Sequence, residues 1–396
     1  MPRVTAEPAA GRPTLARAEA RRLTDELKDQ AASLWRRLVE LHDGGAHTVL
    51  GYSSWHAYCK SEFGFGQSHS YRLLDAGRVA AVVPQVGNEA QARALAPLLR
   101  DQGEQAVIDL VTDLHREHDG RPTATQLRQA VSARTTTQVA ANADSAPARR
   151  RRPSSRPGEV YELAPHRLIC GDATDPAVIA ELLGAERAAM IWTDPPYGVD
   201  YVGKTDQALT IANDGADGLR ELLLGAWRAC EPRLIESAPF YVAGPTGATA
   251  EDFYASFREA GWRYQQQLVW VKQRMVLGRQ NYQLQHEAIY HGHAPGRNAG
   301  RMTPNRYRWY GPDNATSILQ VAAPTASRDH PTMKPVELII PAIENSSLPD
   351  EIVLDLFAGS GSTMIAAHHT NRRAHLVELD PRYCDVIRNR WQNFEG

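Results

Sequence analysis

The sequence predicts an α/β domain built on a mainly parallel sheet, preceded by an all-α helical domain and a flexible basic linker. Three observations carry this. Apolar residues at 23, 27, 31, 34, 38 and 41 recur in steps of three and four, which puts one stripe on a helix ending near Gly44 and Gly45. Residues 134–158 turn to Thr, Ala, Ser and Pro around the run Arg149 to Arg152, a linker composition whose arginines either touch phosphate or are simply solvated. From Tyr161 onward, short apolar runs alternate with turns and helical segments, the texture of helices covering both faces of a sheet.

At 396 residues the chain exceeds what one core holds, so several domains are expected. The divisions are a disordered tail at 1–15, a helical domain at 16–133, the linker at 134–158 and the α/β domain at 159–396. A net charge of −2 gives no global nucleic-acid signal, so a basic surface has to be local. Only five of the 44 basic residues are lysines (28, 60, 204, 272 and 334), a bias read as genomic composition. The four cysteines are scattered without a C-x-x-C pair, which points to free thiols and away from a metal site. No apolar run approaches the roughly 20 residues a bilayer needs, so a cytoplasmic protein with no membrane association is expected.

In the helical domain, Ser53 and Ser54 precede a helix over 55–63, and a Gly64 to Gly66 turn leads into a second helix over 67–81. With Gln67, Ser68, His69, Ser70, Tyr71 and Arg72 opening the second, this layout suits a helix-turn-helix, or else a plain helical bundle. Further helices are expected at 88–95, 105–118 and 123–131. Their order over 50–133 is similar to the helical DNA-binding region of ParB-type partition proteins.

In the α/β domain, strands are expected at 167–170, 190–193, 238–243, 267–271, 286–290, 352–355 and 374–378. Helices are expected at 176–183, 219–230, 250–260, 336–343 and 364–370, and a polar loop holding Lys204 at 202–217. The strand at 190–193 stops at Asp194-Pro195-Pro196-Tyr197, because two prolines cannot continue a ladder. A carboxylate, a carbonyl and an aromatic ring within four residues suit a planar ring bearing an exocyclic amine: Asp194 and a carbonyl near Pro195 accept its two N–H groups while Tyr197 stacks. The segment 294–330 interleaves Arg297, Arg301, Arg306 and Arg308 with Tyr307, Trp309 and Tyr310. It reads as a DNA-reading loop, with Lys204 a further candidate contact, or as an irregular surface insertion.

A second constellation follows. Asp355 ends a strand, and Phe357, Ala358, Gly359, Ser360, Gly361, Ser362 and Thr363 turn into a helix, the general plan of a nucleotide-binding element. No lysine follows the glycines, so it is not a phosphate-binding Walker loop. Glu378 ends the next strand about twenty residues on, where an acid binds ribose hydroxyls or is merely a surface strand end. An acid at Asp355 able to face an ammonium group selects an amino-acid-bearing nucleoside, S-adenosylmethionine, over a dinucleotide.

Together these residues resemble the amino-methyltransferases of DNA, which modify N6 of adenine or N4 of cytosine. Asp194 to Tyr197 matches their catalytic motif, Asp355 to Gly361 their D-x-F-x-G-x-G cofactor motif, and 330–335 the segment preceding it. The catalytic motif precedes the cofactor motif, with the basic segment between, as in the β arrangement of that family. The resemblance covers 160–396 and implies a Rossmann-like S-adenosylmethionine-dependent methyltransferase fold, with a mainly parallel seven-stranded sheet and an antiparallel edge. It further implies Asp172 near the cofactor adenine, otherwise a turn residue, and Thr332 or Lys334 near its methionine carboxylate, Lys334 being otherwise a solvated side chain. Asp at the first motif position accompanies adenine more often, Ser cytosine and Asn glutamine, so N6 of adenine is favoured, with N4 of cytosine the alternative. Double-stranded DNA is the implied partner; a homodimer and a restriction endonuclease partner are compatible with it. The rival reading is a ParB-like DNA-binding regulator with an inactive methyltransferase half, against which the intact motif residues speak.

Overall fold

A computed structural model describes residues 16–52, 54–84, 86, 88–117, 122–128, 130–131, 134, 153–198, 218–276, 281–297, 308–311, 313–322 and 333–395. Contacts divide the chain into two units, Met1–Val131 and Ser132–Gly396.

The first unit is helical. Its elements are α1 (Arg17–Asp43), α2 (Ala46–Val49), α3 (Trp55–Phe63), α4 (Gln67–Val82) and α5 (Glu89–Glu117). Ser54 Oγ accepts the Ala57 N–H at 3.1 Å and so caps α3, while Gly64, with φ 70°, ends it. Gly77 permits the close crossing of α1 and α4, since a Cβ there would lie 2.4 Å from the Trp35 carbonyl oxygen. Trp35, Leu38, Trp55, Leu74, Val79 and Leu95 fill the core. Gly103, with φ 79° and ψ −176°, breaks α5 where two helices are expected. The opening of α4 serves its own unit: Ser70 is buried, Tyr71 packs against the core, Arg72 pairs with Glu89 at 2.8 Å and His69 lies edge-on to Phe65.

The second unit carries a nine-stranded sheet in the order β1-β2-β9-β8-β3-β4-β6-β5-β7. The strands are β1 (Val160–Leu163), β2 (His166–Cys170), β3 (Met190–Thr193), β4 (Pro239–Gly244), β5 (Arg263–Val276), β6 (Leu284–His293), β7 (Ile318–Gln320), β8 (Ile352–Asp355) and β9 (Arg373–Glu378). The seven expected strands form its continuous middle, and β1 and β7 extend it by one short strand at each edge. From β2 to β4 the neighbours are parallel, and β6 runs antiparallel to both β4 and β5.

Successive residues of the central strands point to opposite faces, so each strand feeds two cores. Ile169, Ile191, Leu354 and Val377 pack with α6 (Pro176–Leu183), α7 (Leu219–Cys230) and α8 (Ala250–Glu259). Leu168, Met190, Val353 and Leu376 pack with α9 (Val336–Ser346), α10 (Ser362–His369) and α11 (Pro381–Glu395). Burial on both faces explains why these strands read as unbroken apolar runs rather than alternating ones. The chain enters this unit by Ser154 and Ser155, whose amides and hydroxyls all donate to the buried Asp385 carboxylate of α11 at 2.7–2.9 Å.

Two consequences of this topology position the site. The strands β3 and β8 are parallel neighbours, with Met190 opposite Val353 and Ile191 opposite Leu354, so the Asp194 and Asp355 segments emerge side by side. The helices that follow β3 and β8, α7 and α10, pack in the cores on opposite faces of the sheet, the arrangement in which open α/β sheets bind ligands at the carboxyl ends of their strands. Because β6 is antiparallel to β4, with Gly244 opposite Ala288, the start of β6 arrives at that same edge.

Candidate active site

The two motifs are tied together by Thr193. Its hydroxyl donates to Asp355 Oδ1 at 2.7 Å and accepts the Leu356 and Phe357 amides at 3.2 Å. Asp355 Oδ2 accepts from the Thr363 hydroxyl at 2.5 Å, and Oδ1 also takes the Phe357 N–H at 3.1 Å. Burial pushes the Asp355 carboxyl up to about 6, against these hydrogen bonds. Asp355 therefore braces the strand ends, with both carboxylate oxygens engaged inside the protein.

Beyond Asp355 the loop turns on Gly359 and Gly361, both at positive φ (52° and 81°). A Cβ on Gly361 would lie 3.2 Å from Ile387, whereas one on Gly359 would meet nothing within 4 Å. One side of the turn thus packs on α11 and the other faces open space, the shape of a cradle. Ala358 N–H donates to the Val377 carbonyl at 3.0 Å, and buried Arg390 holds the Ser360 carbonyl at 2.8 Å. Glu378 spans the cradle's rim, accepting the Gly359 N–H at 2.8 Å and the Asp380 N–H at 2.9 Å. Its carboxyl is pushed by burial up to about 7.

Both raised carboxyls have the same consequence for stability. A folded pKa above the ordinary one means that the folded protein binds more protons than the unfolded chain, here between the usual 4.5 and about 7 for Glu378 and between 3.8 and about 6 for Asp355. Their contribution is most favourable below those ordinary values and is lost as pH rises through the folded ones. Glu378→Gln is expected to flatten the decline of the melting temperature between pH 5 and 7.5, read by thermal denaturation across that range. An unchanged slope would contradict it.

On the other side of Thr193, Asp194 takes the Tyr197 hydroxyl on Oδ1 at 2.9 Å and the Lys334 ammonium on Oδ2 at 2.7 Å. Burial raises the Asp194 carboxyl and the adjacent Lys334 opposes the shift. The Tyr197 hydroxyl also lies 3.3 Å from Glu287 Oε2, and burial, with two carboxylates beside it, keeps its proton well above the usual range. Lys334 lies 3.3 Å from Glu287 as well, and Lys272 pairs with the other Glu287 oxygen. Burial would push the Glu287 carboxyl up, but the two ammonium groups hold it at about 2. Tyr197 packs edge-on against Phe253, which fixes the plane of its ring.

A family model described as DNA methylase matches residues 188–389, a span holding the whole constellation and half of the chain. The chain belongs to this DNA methylase family. It is 32% identical over 225 residues to "Putative methylase YubD" of Escherichia coli (strain K12), covering 55% of this chain and 86% of that one. It is 27% identical over 241 residues to the type II methyltransferase M.HpaI of Haemophilus parainfluenzae, covering 57% and 73%. Among solved structures it is similar to an M1.HpyAVI–SAM complex, with 19% identity, 56% and 97% coverage and a TM-score of 0.43.

In this DNA methylase, Asp194, Pro195, Pro196 and Tyr197 follow β3 directly, and Phe357 to Thr363 form the turn after β8 and the start of α10. Asp172 is exposed just past β2 and accepts the Thr174 N–H and hydroxyl at 2.8 Å. Since Cys170 pairs with Glu378, Asp172 stands beside the rim of the cradle. Lys334 is buried and ion-paired with Asp194, so it is not the solvated side chain that was the alternative for it. Arg308 is committed to Glu351, which also accepts the Leu348 N–H, and so anchors its own segment onto the turn before β8. Arg297 has an exposed side chain, and Trp309 is half-buried. Thr332, Lys204, Arg301 and Arg306 lie outside the described residues. Sequence reasoning missed Thr193, Lys272 and Glu287. The available signal was a lone carboxylate in the otherwise apolar stretch Glu287-Ala288-Ile289-Tyr290. Among the described residues no helix is long and apolar enough to cross a membrane, and no group of three or more His, Cys, Asp or Glu side chains could hold a metal ion.

Proposed function

We propose that this DNA methylase transfers a methyl group from S-adenosylmethionine to the exocyclic N6 of adenine in double-stranded DNA. The observation that carries the reading is the pairing of β3 with β8, which sets an amine-gripping carboxylate and a glycine cradle at adjacent strand ends, joined by the 2.7 Å contact from Thr193 to Asp355. The cradle fits the cofactor on three counts: the open side of Gly359, the carboxylates of Glu378 and Asp172 at its rim for hydroxyl and amino donors, and the N-terminus of α10, which carries no side-chain cap. The cofactor supplies an electrophilic methyl group on a sulfonium.

The protein's part begins with the amine, whose lone pair is delocalised into its ring. Asp194 and a carbonyl near Pro195 accept its two N–H groups, drawing the nitrogen toward tetrahedral geometry and turning the lone pair outward. The new N–C bond would form as the S–C bond breaks, that bond's electron pair staying on sulfur as a neutral thioether, so that positive charge passes to the amine nitrogen beside the Asp194 carboxylate, which takes the surplus proton and passes it to water. No nucleophilic side chain is consumed. Tyr197 offsets part of the cost of unstacking the base, a few kcal/mol. Preference for adenine rests on Asp at the first motif position. Arg297, Arg301, Arg306, Arg308, Trp309 and Lys204 are proposed to contact DNA, as is the helical unit.

Methylation-sensitive sequencing of DNA from cells producing the protein tests this reading. N6-methyladenine in one recurring sequence context is expected, and N4-methylcytosine would overturn the base assignment. A chain lacking residues 1–150 is expected to bind DNA more weakly than the full chain by electrophoretic shift. Equal affinity would remove the helical unit from the interface.

A further inference from the structure

Asp194, Tyr197, Glu287 and Lys334 close a ring of contacts in which both Asp194 oxygens already have donors. The contact from Lys334 to Oδ2, at 2.7 Å, is the one that an N–H of the target amine has to make. We propose that Glu287 is a positioning residue that receives Lys334 when the target amine takes its place on Asp194. The inference rests on the functional reading above, since it takes Asp194 as the amine's acceptor.

Geometry supplies the first argument. The Lys334 ammonium already lies 3.3 Å from Glu287 Oε2 while bonded to Asp194, so the handover needs a small swing rather than a loop movement. Lys334 is buried with an 8% exposed side chain, and among the described residues Glu287 is the second carboxylate it touches, so without Glu287 it is expected to stay in competition with the base. Tyr197, whose hydroxyl also touches Glu287 Oε2, keeps a partner when Asp194 turns to the amine.

Charge supplies the second. Asp194 and Glu287 balance Lys334 and Lys272, leaving the cluster neutral before a cationic amine develops on Asp194. Removing the Glu287 charge leaves an excess positive charge where a further cation must develop, which a low-dielectric site penalises. The residue type is also telling. Only five of the 44 basic residues are lysines, and two of them meet at Glu287. A compact ammonium on a flexible stem can be passed between carboxylates, whereas a planar guanidinium is built to hold one of them with two bonds.

Steady-state methyl transfer from labelled S-adenosylmethionine to DNA, with the full-length protein, tests this using Glu287→Gln, Lys334→Met and the double variant, with cofactor affinity measured in parallel. Glu287→Gln is expected to lower kcat/KM for DNA roughly 10- to 100-fold while cofactor affinity stays within about twofold of wild type. Adding Lys334→Met to Glu287→Gln is expected to recover several-fold of that loss, because the competing ammonium is gone and the cluster is neutral again; a merely structural Glu287 predicts a further decline. Wild-type kinetics for Glu287→Gln, or a double variant no better than the single one, would overturn the role of Glu287 alone. A wild-type protein that moves no methyl group to DNA would overturn the functional reading, and the role with it.

Discussion

Asp194→Ala is expected to lower kcat for methyl transfer by about 10²- to 10³-fold, with little change in cofactor affinity or melting temperature. On the proposed reading the carboxylate acts on the amine as positive charge develops there, so its loss is expected to fall on the transition state rather than on binding of the donor. Its two protein partners are not stranded, because Lys334 and Tyr197 both retain Glu287. Single-turnover transfer alongside calorimetric cofactor binding measures both quantities. Transfer at the wild-type rate would remove Asp194 from the chemistry.

Asp355→Ala is expected to do the reverse. One strand away and buried at 3% exposure, this carboxylate accepts from Thr193, Thr363 and the Phe357 amide. Truncation leaves those donors without an acceptor, at about 1–3 kcal/mol for each buried group that finds no other. A total near 3 kcal/mol corresponds to a fall in melting temperature of roughly 6–12 °C for a domain of this size. Slackening the β3–β8 tie also loosens the cradle, so cofactor affinity is expected to drop about 100-fold. Thermal denaturation and equilibrium binding read the two effects. A variant that melts and binds cofactor like wild type would show that the tie is not what shapes the cradle.

The two motifs were legible because each is local. Two prolines after an apolar run end a strand, and glycines between a strand and a helix make a turn, whatever the rest of the chain does. The seven middle strands were legible for the related reason that burial on both faces leaves continuous apolar runs such as Met190-Ile191-Trp192. The edge strands were not, since Ile318-Leu319-Gln320 is three residues long and borrows its order from β5. What the sequence hid in the site is the long-range part. Glu287 reaches Asp194 because β6 runs antiparallel beside β4 and brings its first residues to the carboxyl edge of the sheet. Lys334 sits with Asp194 and Glu287 because these charges offset one another in a buried place, a constraint that no local pattern encodes.

The most direct measurement is the fate of the methyl group itself. Purified protein is incubated with methyl-labelled S-adenosylmethionine and duplex DNA, and the DNA is digested to nucleosides and resolved by mass spectrometry. The label is expected in N6-methyladenosine of the deoxy series, and its initial rate of appearance to fall by about 10²- to 10³-fold with Asp194→Ala. Label found on a ring carbon or in protein, or absent from DNA while the cofactor binds, would contradict the account.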